Sequence, residues 1–373
     1  MIPIIYDRTK TASQLIEGIN NLGIGEVSEA VTCVATEERN GGLTMTMTVP
    51  ETAQYINNIS VGGLLCVDVS PQQKRQLFEI VRVMKTLSGI FTVYAEHISY
   101  RLLYSVLKPF PSAGIDGLNN VFTRLSDNQN GSYYVTGNNF TFTWSGWTSA
   151  AANFKMAEYQ SVRKTLLNSS GSVLDKYGGC YKWNNFTVTL YKERGSDNGV
   201  KILYGKNLTD ISAEYNNETE ATATSLYGIY KNGDTIVGAS GISATSNTGL
   251  YKYARCIVKD MTSSFSGDTA PTAPEVKSAT DSYVSSNIRG VPDVNLKTSF
   301  VLLSDTVEYA GYANLESVEI DDTVTVYVPS LDVDVKAKVI KTNYNVLLDR
   351  YDSVEVGNFR TSINAAIRAV KGA

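Results

Sequence analysis

The sequence contains a single histidine, His97, among its 373 residues. A metal site that needs two histidines is therefore excluded, and any Ser-His-Asp or Cys-His arrangement would depend on this one side chain. His97 follows Glu96 at the end of a predicted strand, in the motif AEHISY. Because satisfied polar groups inside proteins far outnumber catalytic ones, we interpret His97 as structural, together with Tyr100 and Arg101 of the same motif.

Cysteine and long apolar runs are also scarce. Cys33, Cys66, Cys180 and Cys256 are widely spaced and form no CxxC pair, so we expect buried free thiols rather than disulfides. No uninterrupted apolar run reaches the ~18 residues of a membrane span. Residues 1–7 lack the basic and apolar regions of a secretory signal. We therefore expect no membrane span, and a protein that is made in a cytoplasm and reaches its destination by assembly.

Positive charge is in slight deficit. The chain has 33 Lys and Arg against 37 Asp and Glu, a net charge of −4. Proteins that hold nucleic-acid phosphates usually carry a basic face, so such a function is disfavoured. Lys206 lies in YGKN, but the phosphate-binding pattern GxxxxGK[ST] is absent. We interpret Arg194, Asp197 and Lys206 as salt-bridging or interface residues.

Two pairs of adjacent carboxylates occur, Glu37-Glu38 and Asp321-Asp322. Neighbouring residues on a strand point to opposite faces, so neither pair is expected to converge on one substrate bond. Glu37 and Glu38 precede a turn in TEERNG and are expected to be solvated. The sequence thus predicts no catalytic residue, no metal site and no cofactor.

The residues that are plentiful favour β-structure. Hydrophobic residues make up 43% of the chain and tyrosines number 23, and threonine and glycine are frequent while proline is not. The length predicts two to four domains. Alternation with period two predicts strands at residues 30–35, 43–49, 64–69, 77–85, 90–96, 140–144, 153–157, 222–230, 254–259, 295–303, 323–328, 333–341 and 345–356. Helices are predicted after the cap Ser161, from Pro274 to about Asn287, and over residues 362–371.

The stretch of residues 174–212 carries the most specific pattern. Residues 186–192 and 200–204 read as strands, and ERGSDNG lies between them. Gly195 and the Asn-Gly pair ending at Gly199 can supply the positive-φ positions of a hairpin loop. The sequence therefore predicts a hairpin of these two strands.

Motifs in this stretch and beyond it follow one another in a recognisable order. The chain resembles the hub family of phage tail tips and baseplates, also named tail-associated protein, prophage tail endopeptidase or phage minor structural protein N-terminal region. The motifs are MIPIIYD (1–7), TEERNG (36–41), AEHISYRL (95–102), YGG (177–179), NNFTVTL (184–190), RGxDxGV (194–200), YGKNLTD (204–210) and DDTVTV (321–326). The resemblance therefore covers nearly the whole chain.

The resemblance implies a multidomain α+β, mainly β, fold with two tube-like β-barrels, similar to the hub of contractile-tailed phages. RVMKT (82–86) and KVIKT (338–342) form a faint internal echo that agrees with two related barrels. The expected division is a first barrel at 1–106, a lateral α+β domain at 107–180, a second barrel at 181–210 plus 313–360, an inserted lateral domain at 211–312 and a C-terminal helix at 361–373.

The implied function is structural. The resemblance implies a homotrimer whose six barrels match a sixfold tail tube and present threefold symmetry to the tip. Its expected partners are the distal tail or tail-tube protein, the tape-measure protein and tip or spike proteins, and DNA is expected to pass transiently without specific binding. The expected location is the virion tail tip, after assembly in the bacterial host cytoplasm. A lumen on the DNA path should be acidic or neutral, and Asp332 and Asp334 could face either this lumen or outer solvent.

Two alternatives from other classes stay open. One is a tail-associated peptidoglycan hydrolase, although wall-degrading activity in the family is generally associated with additional C-terminal domains. The other is a carbohydrate-binding adhesin, because Trp144, Trp147 and Trp183 could stack sugars. Buried or interfacial packing is the commoner fate of tryptophan.

Overall fold

The structure is a computed structural model. It describes residues 1–20, 23–110, 117–127, 133–148, 154–167, 171–203, 208–216, 220–245, 251, 253–265, 269–288, 290, 293–300, 318–328 and 333–357. Lys206, Asp332 and the helix predicted over residues 362–371 lie outside these residues.

The N-terminal part consists mainly of antiparallel strands. In order these elements are β1 (Ile4–Tyr6), α1 (Ala12–Glu17), β2 (Gly23–Glu26), β3 (Thr32–Glu38), β4 (Leu43–Pro50), β5 (Leu64–Val67), β6 (Gln76–Lys85) and β7 (Ile90–His97). The strands predicted at residues 30–35 and 43–49 are present as β3 and β4, which pair as an antiparallel hairpin, and Asn40 in the turn between them has a φ of 53°. Strand β4 shows why the pattern worked, since its apolar residues from Leu43 to Val49 are buried and the threonines between them face outward.

The middle part adds small sheets and short helices. Its elements are β8 (Val106–Leu107), α2 (Gly117–Ser126), β9 (Tyr134–Thr136), β10 (Thr141–Ser145), β11 (Gln160–Ser161), α3 (Val162–Leu167), α4 (Val173–Tyr177), β12 (Cys180–Asn184) and β13 (Thr187–Tyr191). Ser161 caps α3 as predicted, because its hydroxyl accepts a hydrogen bond from the Lys164 amide at 3.3 Å. The strand predicted over residues 153–157 is wrong, since only Phe154 makes a β-bridge and residues 155–157 form a loop.

The C-terminal half returns to long strands. Its elements are β14 (Lys201–Leu203), β15 (Leu208–Asn216), β16 (Ser225–Asn232), β17 (Thr235–Gly238), β18 (Ser243–Ala244), β19 (Cys256–Asp260), α5 (Ala273–Asn287), β20 (Asp293–Phe300), β21 (Thr323–Val328), β22 (Val333–Asn345) and β23 (Arg350–Gly357).

The hairpin predicted within residues 174–212 is wrong, although both of its strands exist. Strand β13 pairs antiparallel with β12 across a turn at Asn185, and parallel with β10. Strand β14 pairs parallel with β21, more than a hundred residues away in sequence. The ERGSDNG segment therefore connects two different sheets, since β13 pairs with β12 and β10 and β14 pairs with β21.

One large sheet connects the two ends of the chain. Its order is β15-β20-β23-β22-β3-β4-β7-β6-β5-β1-β2, and β21 with β14 pairs along the first half of β22. The second half of β22 pairs with β3, from Lys341 opposite Glu38 to Asn345 opposite Val34. The predicted class, α+β and mainly β, is confirmed. Among the described residues, the end strands β15 and β2 do not pair with each other.

A smaller unit packs around α5. Strand β16 pairs with β17, β18 and β19, and α5 covers this sheet. A Cβ at Gly228 of β16 would overlap the Thr280 hydroxyl of α5, so glycine is needed for this close approach. Helix α5 begins at Ala273, and Pro274 lies in its first turn as predicted. The Glu275 carboxylate accepts a hydrogen bond from the Thr272 amide at 2.7 Å. Two small apolar clusters between α5 and the sheet are separate from the main core.

Candidate functional site

The RGxDxGV segment contains a buried arginine that joins distant parts of the chain. The Arg194 Nη1 donates to Glu37 Oε1 of β3 at 2.7 Å and to the Tyr181 carbonyl of β12 at 2.9 Å. The Arg194 and Glu37 side chains are only 3% and 4% exposed. We call this region the buried junction and define it as Glu37, Arg39, Arg194, Asp321 and Asp322.

The Glu37 carboxylate keeps the Arg194 guanidinium in its charged form. Burial by itself lowers the pKa of this guanidinium, but the adjacent Glu37 carboxylate outweighs burial and raises the pKa above its ordinary value. Among the described residues, Nε and Nη2 of Arg194 have no hydrogen-bond partner. The pair is therefore fully charged but only partly satisfied, which makes each partner costly to remove by itself.

Asp321 is the second anchor of the junction. Its carboxylate accepts from Arg39 Nε at 2.7 Å and from the Arg194 amide at 3.2 Å, and Lys338 Nζ lies 3.5 Å away. The Asp321 side chain is 2% exposed, and its backbone has a φ of 74°. A non-glycine residue with a positive φ lowers the folding stability by about 1–3 kcal/mol, and the surrounding hydrogen bonds offset this strain.

Gly195 allows this close approach. A Cβ at Gly195 would overlap the Asp321 carbonyl and the Asp322 amide. Its φ is not positive, so the expectation that Gly195 serves a left-handed turn is wrong and steric contact is the reason for glycine. Gly199 has the predicted positive φ, at 74°.

Asp322 fixes the backbone on the other side of the junction. Its carboxylate accepts from the Ser196 amide at 2.8 Å and from the Glu319 amide at 2.7 Å. Burial raises the pKa of Asp322, and the two amide hydrogen bonds oppose that increase. Because the Thr323 amide also donates to the Ser196 carbonyl, the RGxDxGV segment is attached to the start of β21 at several points.

The sequence prediction for Glu37 is wrong. Strand β3 buries alternate residues, and Glu37 continues the buried row of Cys33 and Ala35. Glu38, on the opposite face, is exposed and pairs with Lys341 at 2.9 Å. The turn that follows suggested solvation, but strand alternation decided the outcome.

Asp197 was interpreted as a salt-bridging residue, and this is confirmed. Its carboxylate accepts from Lys336 of β22 at 2.7 Å. Both side chains are exposed, so the pair contributes little to stability.

His97 is enclosed at the end of β7. Its side chain is fully buried, and Nδ1 lies 3.0 Å from the Ser99 hydroxyl and caps the 3-10 helix of Ile98–Leu103. Its ring meets Phe78 edge to face. Burial, with a smaller effect from Arg163, lowers the pKa of His97 to about 3. The imidazole is therefore neutral at pH 7 and shielded from solvent.

Sequence reasoning missed the buried cation Arg163. Its guanidinium stacks on Tyr100 at 3.9 Å and lies 4.9 Å from the Trp183 ring. It donates to the Gly41 carbonyl at 3.2 Å. No periodic signal marks Arg163, because both it and its neighbour Val162 in α3 are buried.

The aromatic and thiol predictions have mixed outcomes. Trp183 is 1% exposed and stacks on Tyr181, while Trp144 and Trp147 contact each other edge to face at the margin of the main core.

Cys33, Cys66 and Cys180 are free and buried as expected, and burial raises the pKa of the first two to about 12. The expectation for Cys256 is wrong because β19, which contains it, lies at the surface of the smaller unit.

Cys256 borders a surface pocket of about 500 Å³ on that unit. Glu220, Tyr253 and Arg255 also line it. The described residues contain no group of three or more His, Cys, Asp or Glu side chains arranged to hold a metal ion. They also contain no helix with the length and hydrophobicity needed to cross a membrane.

A comparison with protein families agrees with the motifs. Residues 196–367, slightly less than half of the chain, match the family described as prophage endopeptidase tail. No curated protein sequence matches the chain. The resemblance to phage tail proteins stated from the motifs is confirmed.

Solved structures share the fold over most of the chain. Prophage tail protein gp18 from Listeria monocytogenes EGD-e aligns with a TM-score of 0.56 and 12% identity, over 100% of both chains. A tail protein from Neisseria meningitidis MC58 has a TM-score of 0.58 and 7% identity, over 98% of both chains. The 43 kDa tail protein of prophage MuSo2 from Shewanella oneidensis has a TM-score of 0.55 and 9% identity, over 87% of this chain and 93% of that one. At these identities the likeness shows the fold alone.

Proposed function

We propose that this phage tail protein is a structural hub of the tail tip or baseplate, which forms a trimeric ring on the DNA exit path. The observation that carries the proposal is the agreement of the family match over residues 196–367 with a fold shared with tail proteins along nearly the whole chain.

The proposed ring contains two tube-like barrels from each chain. In support, the chain contains two antiparallel meanders in the predicted places, β5-β6-β7 and β21-β22-β23. The pairing of β22 with β3 connects them. Two barrels in each of three chains make six repeats, which match a sixfold tail tube while the ring keeps threefold symmetry. The proposed lateral domains are residues 107–180 and 211–312, and the proposed C-terminal helix is 361–373.

The buried junction supports a structural role for the most specific motif. Its carboxylates are engaged by arginine side chains or backbone amides, so none of them is placed to act as a free acid or base. The hub is accordingly proposed to be non-enzymatic, with the distal tail or tail-tube protein, the tape-measure protein and tip or spike proteins as partners.

Light scattering on the purified chain tests the ring. The expected mass is three times the chain mass of 40.7 kDa. A monomeric mass over a wide concentration range, together with the absence of a ring on isolated tail-tip particles, would contradict the proposal.

Incubation with purified cell walls tests the non-enzymatic role. The expected result is no release of wall fragments by the purified chain, and hence no defect in His97→Ala. Cleavage by the wild type that this substitution abolishes would favour the hydrolase alternative.

A further inference from the structure

The large sheet contains a strip of eight strands that divides into two similar halves. The order of the strip is β15-β20-β23-β22-β3-β4-β7-β6. The echo of RVMKT (82–86) in KVIKT (338–342) aligns β6 with β22, and each of these strands pairs with the strand that follows it in the chain, β7 or β23. Beyond β7 lie β4 and β3, and beyond β23 lie β20 and β15. Each half therefore contains four strands in the same order, with β6 equivalent to β22 and β3 equivalent to β15.

The two halves are joined by the pairing of β22 with β3. One edge of β22 is covered in two parts, because β21 pairs with its first half, Val333–Lys338, and β3 pairs with its second half, Lys341–Asn345. The Lys341 ammonium forms an ion pair with Glu38 across the second contact, at 2.9 Å. A basic strand at the end of one half is thus completed by an acidic strand at the start of the other.

Strand β6 has the partners of β22 except for the last one. Strand β5 pairs with the first part of β6, from Gln76 to Glu79, as β21 pairs with the first half of β22. From Arg82 to Lys85, β7 is the one strand of the described residues that pairs with β6. We call Arg82–Lys85 the open edge of β6.

The open edge presents both backbone groups and apolar surface. The Thr86 amide donates to a carbonyl of β7 at the hairpin end, so strand alternation turns the N–H and C=O groups of Val83 and Lys85 away from β7. The side chains of Met84 and of the adjoining Val81 are 46% and 45% exposed. An exposed edge with apolar side chains is a template for pairing with a strand of another chain.

The charges of the open edge select an acidic partner. Lysine and arginine on an edge usually discourage pairing, but here the Arg82 guanidinium lies 3.8 Å from the centre of the Tyr94 ring and the Lys85 ammonium 4.6 Å from that of Phe91. Both cations therefore lie over rings of β7 and leave the edge backbone accessible. The open edge has two basic residues and no acidic one, whereas the sequence of β15, LTDISAEYN, has two acidic residues and no basic one. Opposite charges favour the pairing of two strands.

Strand β15 is the other end of the strip and is equivalent to β3. Within the described part of the chain it pairs with β20 alone, and its Asp210 is exposed. We propose that the open edge of β6 pairs with β15 of a neighbouring copy, as β22 pairs with β3 inside one chain. This contact joins two different surfaces, so three copies can close into a ring. The inference rests on the proposed function and adds the strands that form the subunit contact.

Crosslinking of cysteine variants tests the strand pairing. In a Cys256→Ser background, which lacks the exposed native thiol, Met84→Cys and Ser212→Cys place exposed thiols on β6 and β15. A flexible bismaleimide should link the double variant into covalent dimers and trimers on a denaturing gel, whereas each single variant should stay largely monomeric. The matched control combines Ser212→Cys with Thr143→Cys, because Thr143 is an exposed strand residue on the separate β10-β13-β12 sheet.

Charge reversal tests the same contact without a crosslinker. Arg82→Glu with Lys85→Glu should raise the concentration at which half of the chains are trimeric by about tenfold or more, because both bases would become acids opposite an acidic strand. Adding Asp210→Lys should recover part of this loss. Arg8→Glu with Lys164→Glu is the control, since it changes the net charge equally at two exposed positions outside β6. Circular dichroism of each variant shows whether the chain is folded.

The outcomes separate this inference from the proposed function. A trimeric mass by light scattering, with no more crosslinking of the β6 and β15 thiols than in the Thr143→Cys control, would overturn the strand pairing and leave the hub intact. Unchanged trimer formation by the folded charge-reversed variant would also place the subunit contact elsewhere. A monomeric mass of the wild type over a wide concentration range would instead overturn the trimeric hub and this inference with it.

Discussion

Removal of Arg194 while Glu37 is left in place should strongly destabilise the protein. The substitution Arg194→Met keeps much of the side-chain volume but leaves a carboxylate that is 4% exposed without its cation. Breaking a buried pair in this way costs about 3–5 kcal/mol. The lost hydrogen bond to the Tyr181 carbonyl, at 2.9 Å, should place the result toward the upper end of that range.

The double variant Glu37→Met with Arg194→Met separates the pair from simple packing loss. A well-packed apolar replacement of a buried ion pair is often neutral, so the double variant should recover most of the stability lost in Arg194→Met. Glu37→Met completes the cycle, because it leaves an unpaired buried guanidinium and should also be destabilising.

Thermal and urea unfolding, followed by circular dichroism, measure these effects. The loss expected for Arg194→Met corresponds to a fall in Tm of about 4–6 °C for a chain of 373 residues. Asp197→Asn is the control, because its partner Lys336 is exposed and the change should be nearly silent.

Three results would count against this account of the buried junction. Wild-type stability in Arg194→Met would mean that the buried pair contributes nothing. A double variant whose loss equals the sum of the two single losses would mean that the two charges are not coupled. Normal assembly of Arg194→Met together with the loss of a measurable hydrolytic activity would contradict the structural role of the motif itself.

Three further predictions concern backbone contact, acid stability and thiol reactivity. Gly195→Ala should lose about 1–3 kcal/mol of folding stability through overlap with the Asp321 backbone, and more than Gly241→Ala, whose added Cβ would lie 3.7 Å from its nearest neighbour, Lys277 Cε; equal losses in urea unfolding would contradict the steric account. His97 has a folded pKa of about 3 against an ordinary 6.5, so the stability it contributes is complete above pH 6.5 and falls as the pH drops, by about 3 kcal/mol at pH 4.5. The variant His97→Asn should lose this part of the acid dependence, and an unchanged pH profile of the unfolding free energy would refute the assignment. In the native protein only Cys256 should react with Ellman's reagent, and Cys256→Ser should be unreactive until urea exposes the three buried thiols; reaction of a second thiol without denaturant would show that the core opens.

The alternation of apolar and polar residues along the sequence was enough to predict most of the strands. In β4, hydrophobic residues alternate with threonine, and this period of two matches the pleat of a strand with one buried face. Helix α5 was equally readable, because its Pro274 start is a property of the backbone at a helix N-terminus. The motifs and their order along the chain were enough to indicate the resemblance to tail proteins, because both can be read from the sequence alone.

Only the tertiary structure decided which strands pair. The ERGSDNG segment has the composition of a hairpin loop, yet β13 and β14 join different sheets. A turn signal describes a bend of a few residues, whereas pairing is selected by the total hydrogen bonding and packing with every other strand. The same long-range selection brings β22 beside β3 and so unites both ends of the chain.

The tertiary structure also decided what the charged residues do. Glu37 and Arg194 are separated by 157 positions, and no local pattern links a glutamate before a turn to an arginine after a strand. Their pairing is enforced because burial makes either charge by itself expensive, so the fold must place one against the other. Gly195 owes its identity to the same junction, where the chain passes too close to Asp321 for any side chain.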